Sequence, residues 1–383
     1  VRIKHRVSIQ VISNIEGLLK IEYQWNTLVN KSSNNPFLLS EFARQFIQQG
    51  SRVWAPMILT ISDNQTIIGI APLKTRKNFT GRHVDFLHPL WFSDFIFDEQ
   101  HRNACIKYTF DFLFNTLKCG YASLILPGDS PNLELLEQQC KVKKIHLKAT
   151  PEMGRRIIPV TSTIWAEFEA LRKGKFRKEL KRRERNLNKA GSWTTMCVEG
   201  NEKSDIFEKI LNVERKSWKQ KWRVQSGTGP DSLLLVVLKA AQRLAKIEPS
   251  FKWNTWFMEL NGKTIAYTIV IEYKGIAYIV KTSYDENYKR LCPGIVIQNS
   301  VIQGLLTKGQ RSYIDFISDL PYQKTWTSKC LPRVKVQLTK GAMPIIIQSF
   351  KDAIAEKVFS RFVPFLNRQS SRSSIDADQN LIA

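Results

Sequence analysis

The division of the chain into apolar and polar positions is sharpest between Trp253 and Trp326. Thr255 to Leu260 is rich in β-forming residues and runs into Asn261-Gly262, the dipeptide favoured by two-residue hairpins. Lys263 to Tyr273 reads as a second, more continuously apolar strand. Lys274-Gly275 turns the chain again and Ile276 to Thr282 forms a third. A polar loop then closes on Pro293-Gly294. Apolar residues at 295, 297, 301, 302 and 305 mark a helix from Ile295 to Leu306, and Tyr313 to Ile317 is a fourth strand. Three antiparallel strands, a loop, a helix and a strand make an α/β unit. The loop before its helix is the natural anion site, because backbone N–H groups there are unpaired.

The first half of the chain has the same flavour. Val7 to Ile12 is strand-like, and Ile15 to Leu28 is a helix with Leu18, Leu19, Trp25 and Leu28 on its apolar side. Asn34-Asn35-Pro36 breaks it, and Ser40 is placed to N-cap a helix from Glu41 to Gln49. Met57 to Ser62 and Ile67 to Lys74 form a hairpin, followed by a strand at Val84 to Leu87 and a helix from Asn103 to Leu117. Ala122 to Leu126 is a strand and Pro131 to Gln139 a helix. The pattern predicts two related α/β halves, residues 1–154 and 155–345, with a tail at 346–383 holding a basic helix and a serine- and aspartate-rich end.

Lys173 to Lys189 is the most charged segment, with Phe176, Leu180 and Leu187 on one helical side and lysine or arginine over the rest. It reads either as a solvated helix held by a narrow apolar stripe or as a surface for a polyanion: RNA, a membrane surface or an acidic glycan. Charge sharpens that question. The chain holds 58 basic and 34 acidic residues, a net +24, a field that attracts polyanions without choosing among them. No apolar run approaches the ~20 residues that span a bilayer, and Val1 to Arg6 leads into a strand rather than a secretory signal, so a cytoplasmic place is expected. Six scattered cysteines at 105, 119, 140, 197, 292 and 330 have no metal-ligand spacing and read as buried free thiols. The five histidines all lie in the first 146 residues and no GxSxG is present, which argues against serine or cysteine hydrolysis.

The residues around the anion site carry chemistry. Lys289 and Arg290, with the backbone around Pro293-Gly294, offer positive charge and a close approach for a phosphate; the same residues also make an ordinary turn before a helix. Glu214 lies about one helical turn before Trp218, which sets a carboxylate beside an apolar wall. Such a site suits a base toward an amine, and equally a salt bridge with Arg215, Lys219 or a neighbouring strand.

The ordered set strand–NG–strand–KG–strand, then Tyr288-Lys289-Arg290-Leu291-Cys292-Pro293-Gly294, then Asp315-Phe316 and Asp319-Leu320-Pro321-Tyr322, resembles the GNAT superfamily of acyl-CoA N-acyltransferases. Glu214 to Lys219 resembles the "E..SWK" element of its CelD/BcsL-type members, relatives of the FemAB peptidyltransferases. The resemblance implies an α/β (α+β) fold of two GNAT-like domains in tandem, each a mixed, mostly antiparallel sheet flanked by helices. It implies acyl-CoA as cosubstrate, an amine acceptor such as an amino sugar of a surface polysaccharide, and no metal. By analogy, Lys281, Lys289, Arg290, Pro293 and Gly294 would hold the cosubstrate, with its pantetheine arm along Ile276–Thr282. Glu214, Asp285, Asp315 and Asp319 are the carboxylates in reach, Tyr322 or Tyr284 would protonate the leaving thiolate, and Trp218, Lys219 and Tyr284 would meet substrate. The chain departs from the pattern in having one glycine in the loop, and in Ser318 and Gln323 where relatives carry glycine and lysine. Three functions remain open: N-acyl transfer from acyl-CoA, FemAB-like aminoacyl transfer from tRNA, and non-catalytic polyanion binding.

Overall fold

A computed structural model describes residues 7–51, 53–78, 81–87, 93–160, 165–200, 205–217, 232–307 and 311–340. In chain order the strands are Val7–Ile12 (β1), Ala55–Asp63 (β2), Thr66–Asn78 (β3), Gly81–Phe86 (β4), Ile96–Phe97 (β5), Cys119–Pro127 (β6) and His146–Pro159 (β7). Trp193–Glu199 (β8), Phe251–Leu260 (β9), Lys263–Tyr273 (β10), Ile276–Tyr284 (β11), Tyr313–Asp315 (β12) and Cys330–Thr339 (β13) complete the set. The helices are Ile15–Ser32 (α1), Ser40–Gln49 (α2), Arg102–Asp111 (α3), Asn132–Lys143 (α4), Trp165–Ala170 (α5), Gly174–Ala190 (α6), Ile206–Arg215 (α7), Ser232–Ile247 (α8) and Pro293–Thr307 (α9).

The strands form a single sheet in the order β1-β2-β3-β4-β6-β13-β7-β12-β11-β10-β9-β8, with β5 on β3. Each half contributes a run of antiparallel strands ended by one parallel neighbour: β4 with β6, and β11 with β12. The last strand of each half is exchanged. β7 comes after β6 in sequence but pairs with β12 and β13, while β13 comes after β12 and pairs with β6 and β7. The expected mixed, mostly antiparallel sheet flanked by helices is therefore present, and the two halves share it.

One apolar core also spans both halves. Leu18, Trp25, Phe37 and Phe42 from the first half pack in the same cluster as Ile210, Leu238, Leu244, Tyr267 and Tyr278 from the second. Polar contacts close this seam: Arg243 reaches Glu22 at 3.0 Å and the buried Glu41 at 3.1 Å, and Tyr278 donates to the Asn34 carbonyl at 2.8 Å. The opposite sheet face has two separate cores, one under α3 and α4 and one under α6 and α9. In the latter, the Arg172 guanidinium lies 4.3 Å from the ring centroids of both Phe168 and Trp326, near Trp165 and Phe176 as well. Among the described residues its Nε and Nη2 have no hydrogen-bond partner, and burial pushes its pKa down to about 10. Ring faces stand in for the missing acceptors, which ties α5 and the start of α6 to the segment ending at Trp326.

Several local expectations shift. Ser40 is the first residue of α2 rather than its cap; the cap position is Leu39, and the Ser40 hydroxyl lies 3.5 Å from Glu22. Leu19 is exposed on α1. The helix expected to reach Leu117 changes to a wider π turn at Phe112–Thr116, and α7 ends at Arg215, one residue after Glu214. Cys105, Cys119 and Cys140 are buried thiols, but Cys330 is exposed. Residues 218–231 and the tail from 341 lie outside the described residues.

This architecture has two testable consequences. A fragment of residues 1–154 keeps β6 and most of β7 but lacks β13 between them; it is expected to show no dispersed amide spectrum, whereas a folded fragment would make the exchange dispensable. Asp94 is buried beside Asn132 and its pKa rises from 3.8 to about 6, chiefly through burial. A folded-state value above the unfolded one means stability present below about pH 4 and lost as pH climbs through 6. Asp94→Asn should therefore gain about 2 kcal/mol on the wild type between pH 4 and 6, read from urea midpoints.

Candidate active site

The parallel pairing of β11 with β12 is short: Ile276, Ala277 and Tyr278 meet Tyr313, Ile314 and Asp315. β11 then continues to Tyr284 without a strand beside it on that edge among the described residues. Beyond Asp315 the chain stays with β7, since Phe316 N donates to the Arg156 carbonyl and Arg156 N to the Ser318 carbonyl, both at 2.9 Å. The two strands part like the arms of a V.

Two local features make the parting sharp. On β11, Ile279 faces Val270 and Lys281 faces Ile269, so Val280 is an extra residue with no partner on β10. Such a bulge bends its strand and re-aims the side chains beyond it. On β12, Ile317 sits at φ 56°, a left-handed conformation costly for a β-branched residue. It is held because its N–H donates to Asp315 Oδ1 at 2.7 Å, while Asp315 Oδ2 accepts from Arg155 Nη1. The Asp315 side chain is fully buried and that of Arg155 nearly so. Burial raises the Asp315 pKa against the pull of Arg155; on Arg155 burial acts downward, but Asp315, Tyr313 and Asp129 together outweigh it and hold the guanidinium above its ordinary value.

Past the bulge, Lys281 and Ser283 lie beside α7. Glu214 from that helix is 3% exposed; it accepts from the Tyr267 hydroxyl at 2.8 Å and lies 3.0 Å from the Lys281 ammonium. Tyr267 pairs with Ser283 across the β10–β11 ladder, so one strand register assembles the group. The hydroxyls of Ser217 and Ser283 are buried and make no hydrogen bond among the described residues. Glu286 N donates to the Lys216 carbonyl at 3.0 Å, which fixes the end of α7 to the end of β11.

The other expected site residues fall into separate settings. Asp285 is buried and caps the 3-10 turn Glu286–Leu291 through Asn287 N at 3.0 Å; Lys263 stands 3.8 Å from its other oxygen. Lys289 is exposed and 3.5 Å from Glu286, and Arg290 is exposed at the end of the same turn. Cys292, at φ 51°, joins that turn to Pro293 and Gly294 at the start of α9. What approaches Gly294 closely is the ring of Tyr284: a Cβ there would lie 3.1 Å from Tyr284 Cδ1. Burial pushes the Tyr284 phenol above its ordinary value. Asp319 accepts from Arg156 Nε at 2.6 Å, a hydrogen bond that lowers its pKa. Tyr322 exposes part of its ring; desolvation raises its phenol, opposed by hydrogen bonds with Gln298 and Gln323. Gln323 is buried and closes the turn by accepting from Leu320 N at 2.7 Å and donating to the Ser318 hydroxyl at 2.9 Å. Trp218 and Lys219 lie outside the described residues. No group of three metal-ligating side chains occurs among the described residues.

The structure thus brings Glu214 and Lys281 together, sets Tyr284 over Gly294, and places Asp315 and Asp319 in ion pairs on the β7 side. Tyr267 was not legible as a site residue, because in sequence it is one aromatic within an apolar strand. Arg155 and Arg156 were likewise hidden, being read only as part of a boundary.

Residues 174–324, which contain the V, match the acetyltransferase (GNAT) domain model. Among solved structures the chain is similar to FemX, at 10% identity over 86% of this chain and 96% of that one, with a TM-score of 0.55. A conserved protein of unknown function from Bacteroides thetaiotaomicron VPI-5482 gives 10% identity, 87% and 100% coverage and a TM-score of 0.55. L-PGS from Bacillus licheniformis gives 10%, 85%, 93% and 0.51. No curated protein matches the sequence. At these identities the structural likeness is one of fold. Together they show a GNAT fold, with the match to the acetyltransferase (GNAT) domain model lying in the second half of the chain. No helix among the described residues is long and apolar enough to cross a membrane.

The V rests on its charge pair. Asp315→Asn, which removes the buried charge partner of Arg155 and leaves it the more exposed Asp129 at 3.5 Å, is expected to cost about 3–5 kcal/mol in a denaturant titration. Asp319→Asn, at a partly exposed pair, should cost under about 1 kcal/mol.

Proposed function

We propose that the protein transfers an acyl group from an acyl-CoA thioester to an amine, with the reaction at the bulge of β11. The observation that carries this reading is the parting of β11 from β12 beyond Tyr278, with a buried carboxylate beside the diverging strand. An extended pantetheine chain, with its two amides, would add to the edge of β11 as a strand does, exchanging main-chain hydrogen bonds. Its diphosphate would then lie toward the start of α9, where Lys289 and Arg290 supply positive charge and helix N–H groups point outward.

Glu214 is assigned as the group that receives the amine proton. The Lys281 ammonium and Tyr267 hydroxyl fix its orientation, which moves Lys281 from the cosubstrate set to the base. Attack by the amine nitrogen forms the amide C–N bond as the C–S bond breaks. The thiolate takes up a proton, a role assigned to the Tyr284 phenol over the start of α9. Alignment of thioester and amine supplies most of the rate in such a site. Asp285 serves as a cap, and Asp315 and Asp319 hold the second arm of the V.

A second reading, aminoacyl transfer from tRNA, draws on one further observation. α6 packs against the 286–291 turn and α9, so its exposed Lys175, Arg177, Lys178, Lys181, Arg182 and Arg185 join Lys289 and Arg290 in one basic surface. FemX has the same fold.

A thermal-shift panel over acetyl-CoA, longer acyl-CoAs, free CoA and tRNA separates the two. The first reading expects acyl-CoA and CoA to raise the Tm with shallow salt dependence. A shift by tRNA alone, falling steeply with salt, moves the assignment to the second, and no shift by any of them sinks both. Once a turnover assay exists, Glu214→Gln is expected to lower kcat by about 10²–10⁴ with KM little changed. Unaltered kcat would remove Glu214 from the chemistry.

A further inference from the structure

A second cleft, remote in sequence from the β11 site, opens in the first half of the chain. It measures about 530 Å³ and lies between the start of α1, the end of α2, and strands β2 and β3. That is within the range of small-molecule sites. Ile15, Phe46, Ile47, Pro56 and Leu87 give it apolar walls, Trp54 and Lys74 stand on another side, and its rim is polar, with Ser13, Asn14, Gln49 and Ser51 among the lining residues.

The charge at one wall is unbalanced. Lys74 Nζ stands 5.1 Å from the Trp54 ring centroid, and Arg76, two residues along the same face of β3, places its guanidinium 4.6 Å from it. Two cations therefore share one indole. Facing them is Asp85, which lies opposite Lys74 in the β3–β4 register and spends one oxygen on the Phe86 N–H at 2.8 Å. No ion pair within 4.0 Å and no hydrogen bond is found for Lys74 among the described residues, and Arg76 Nε is buried without a partner. Burial lowers the Lys74 pKa, Asp85 opposes this, and Arg76 adds to it. The wall thus holds a partly desolvated cation with nothing to accept its protons, and apolar surface beside it.

We infer that this cleft binds a small amphiphile with one anionic head, a carboxylate or phosphate, whose head meets Lys74 beside Trp54 and whose apolar body lies along Phe46, Ile47 and Leu87. An anion would supply the acceptor that Lys74 lacks, in a setting where a charge-assisted hydrogen bond is strong. A cationic ligand would add a third positive charge, and a neutral one would leave the ammonium unpaired. The geometry therefore selects by the sign of the head. This inference is independent of the reaction at β11.

The test uses isothermal titration calorimetry on the full chain with octanoate, octyl phosphate, octanol and octylamine. Octanoate or octyl phosphate is expected to bind at least about tenfold more tightly than octanol, with octylamine weakest; which anion leads distinguishes a carboxylate from a phosphate head. Lys74→Met should lose about tenfold or more for the anions and little for octanol. Lys74→Arg should retain anion binding, and Lys141→Met, on the far face of the sheet, should match the wild type. Circular dichroism of each variant separates loss of binding from loss of fold, and the octanol comparison on the wild type needs no variant. The inference is overturned if octanol binds as well as the anions, if Lys74→Met leaves anion affinity unchanged, or if neither anion binds.

Discussion

A buried charge pair holds the site open. Arg155 on β7 and Asp315 on β12 are both withdrawn from water, and their contact keeps the end of β12 on β7 at the point where β11 turns away. The same aspartate accepts the Ile317 N–H, so one side chain anchors the strand and holds the left-handed residue after it. Neither feature is favourable alone. Desolvating two ions costs several kcal/mol each, and a β-branched residue at positive φ is strained. Both persist because the alternative, a β12 that runs on beside β11, would zip the V shut and leave no free edge.

The second arm is set by different forces. β11 belongs to a strongly apolar hairpin stack, and its Tyr278 is fixed from the first half of the chain by Asn34 and by the edge of Phe37, 5.7 Å between centroids. The first half is thus more than a neighbour. It supplies the floor of the common core and, through β6, the strand to which the exchanged β13 pairs. Exchange makes each half incomplete without the other, and it carries rigidity from one sheet end to the other. A site that needs alignment more than strong acid–base chemistry benefits from such a frame.

Charge is distributed with more order than the net +24 conveys. On α6, Glu179 is gripped by Arg182 and Arg183 and its pKa falls to about 2, chiefly through Arg182. Leu180 and Leu187 are buried beneath, and the remaining cations face outward. A narrow apolar stripe packs this helix, and its solvated cations lie beside the 286–291 turn. In the first half, Lys74 and Arg76 show the opposite case, cations drawn onto a tryptophan and partly out of water.

Local pattern alone determined the strand–turn–strand run from 255 to 282, the helix after Pro293 and the narrow stripe of α6. Those features depend on period, turn residues and neighbours within a few positions, which a sequence carries directly. Contacts of long range decided the rest. Nothing in residues 146–159 shows that they form one strand between β13 and β12, because edge and central strands of this composition look alike. The partners of Asp315 and Asp319 lie some 160 positions away, so their acidity read as chemistry when their neighbours make them anchors. Tyr267 joined the site only through register, where a single bulge at Val280 decides which side chains of β11 face Glu214. Gly294, read as room for a phosphate, proves to make room first for a tyrosine ring. Spacing along a chain can name the residue types a site needs, but which of them meet is settled by the sheet that folds them together.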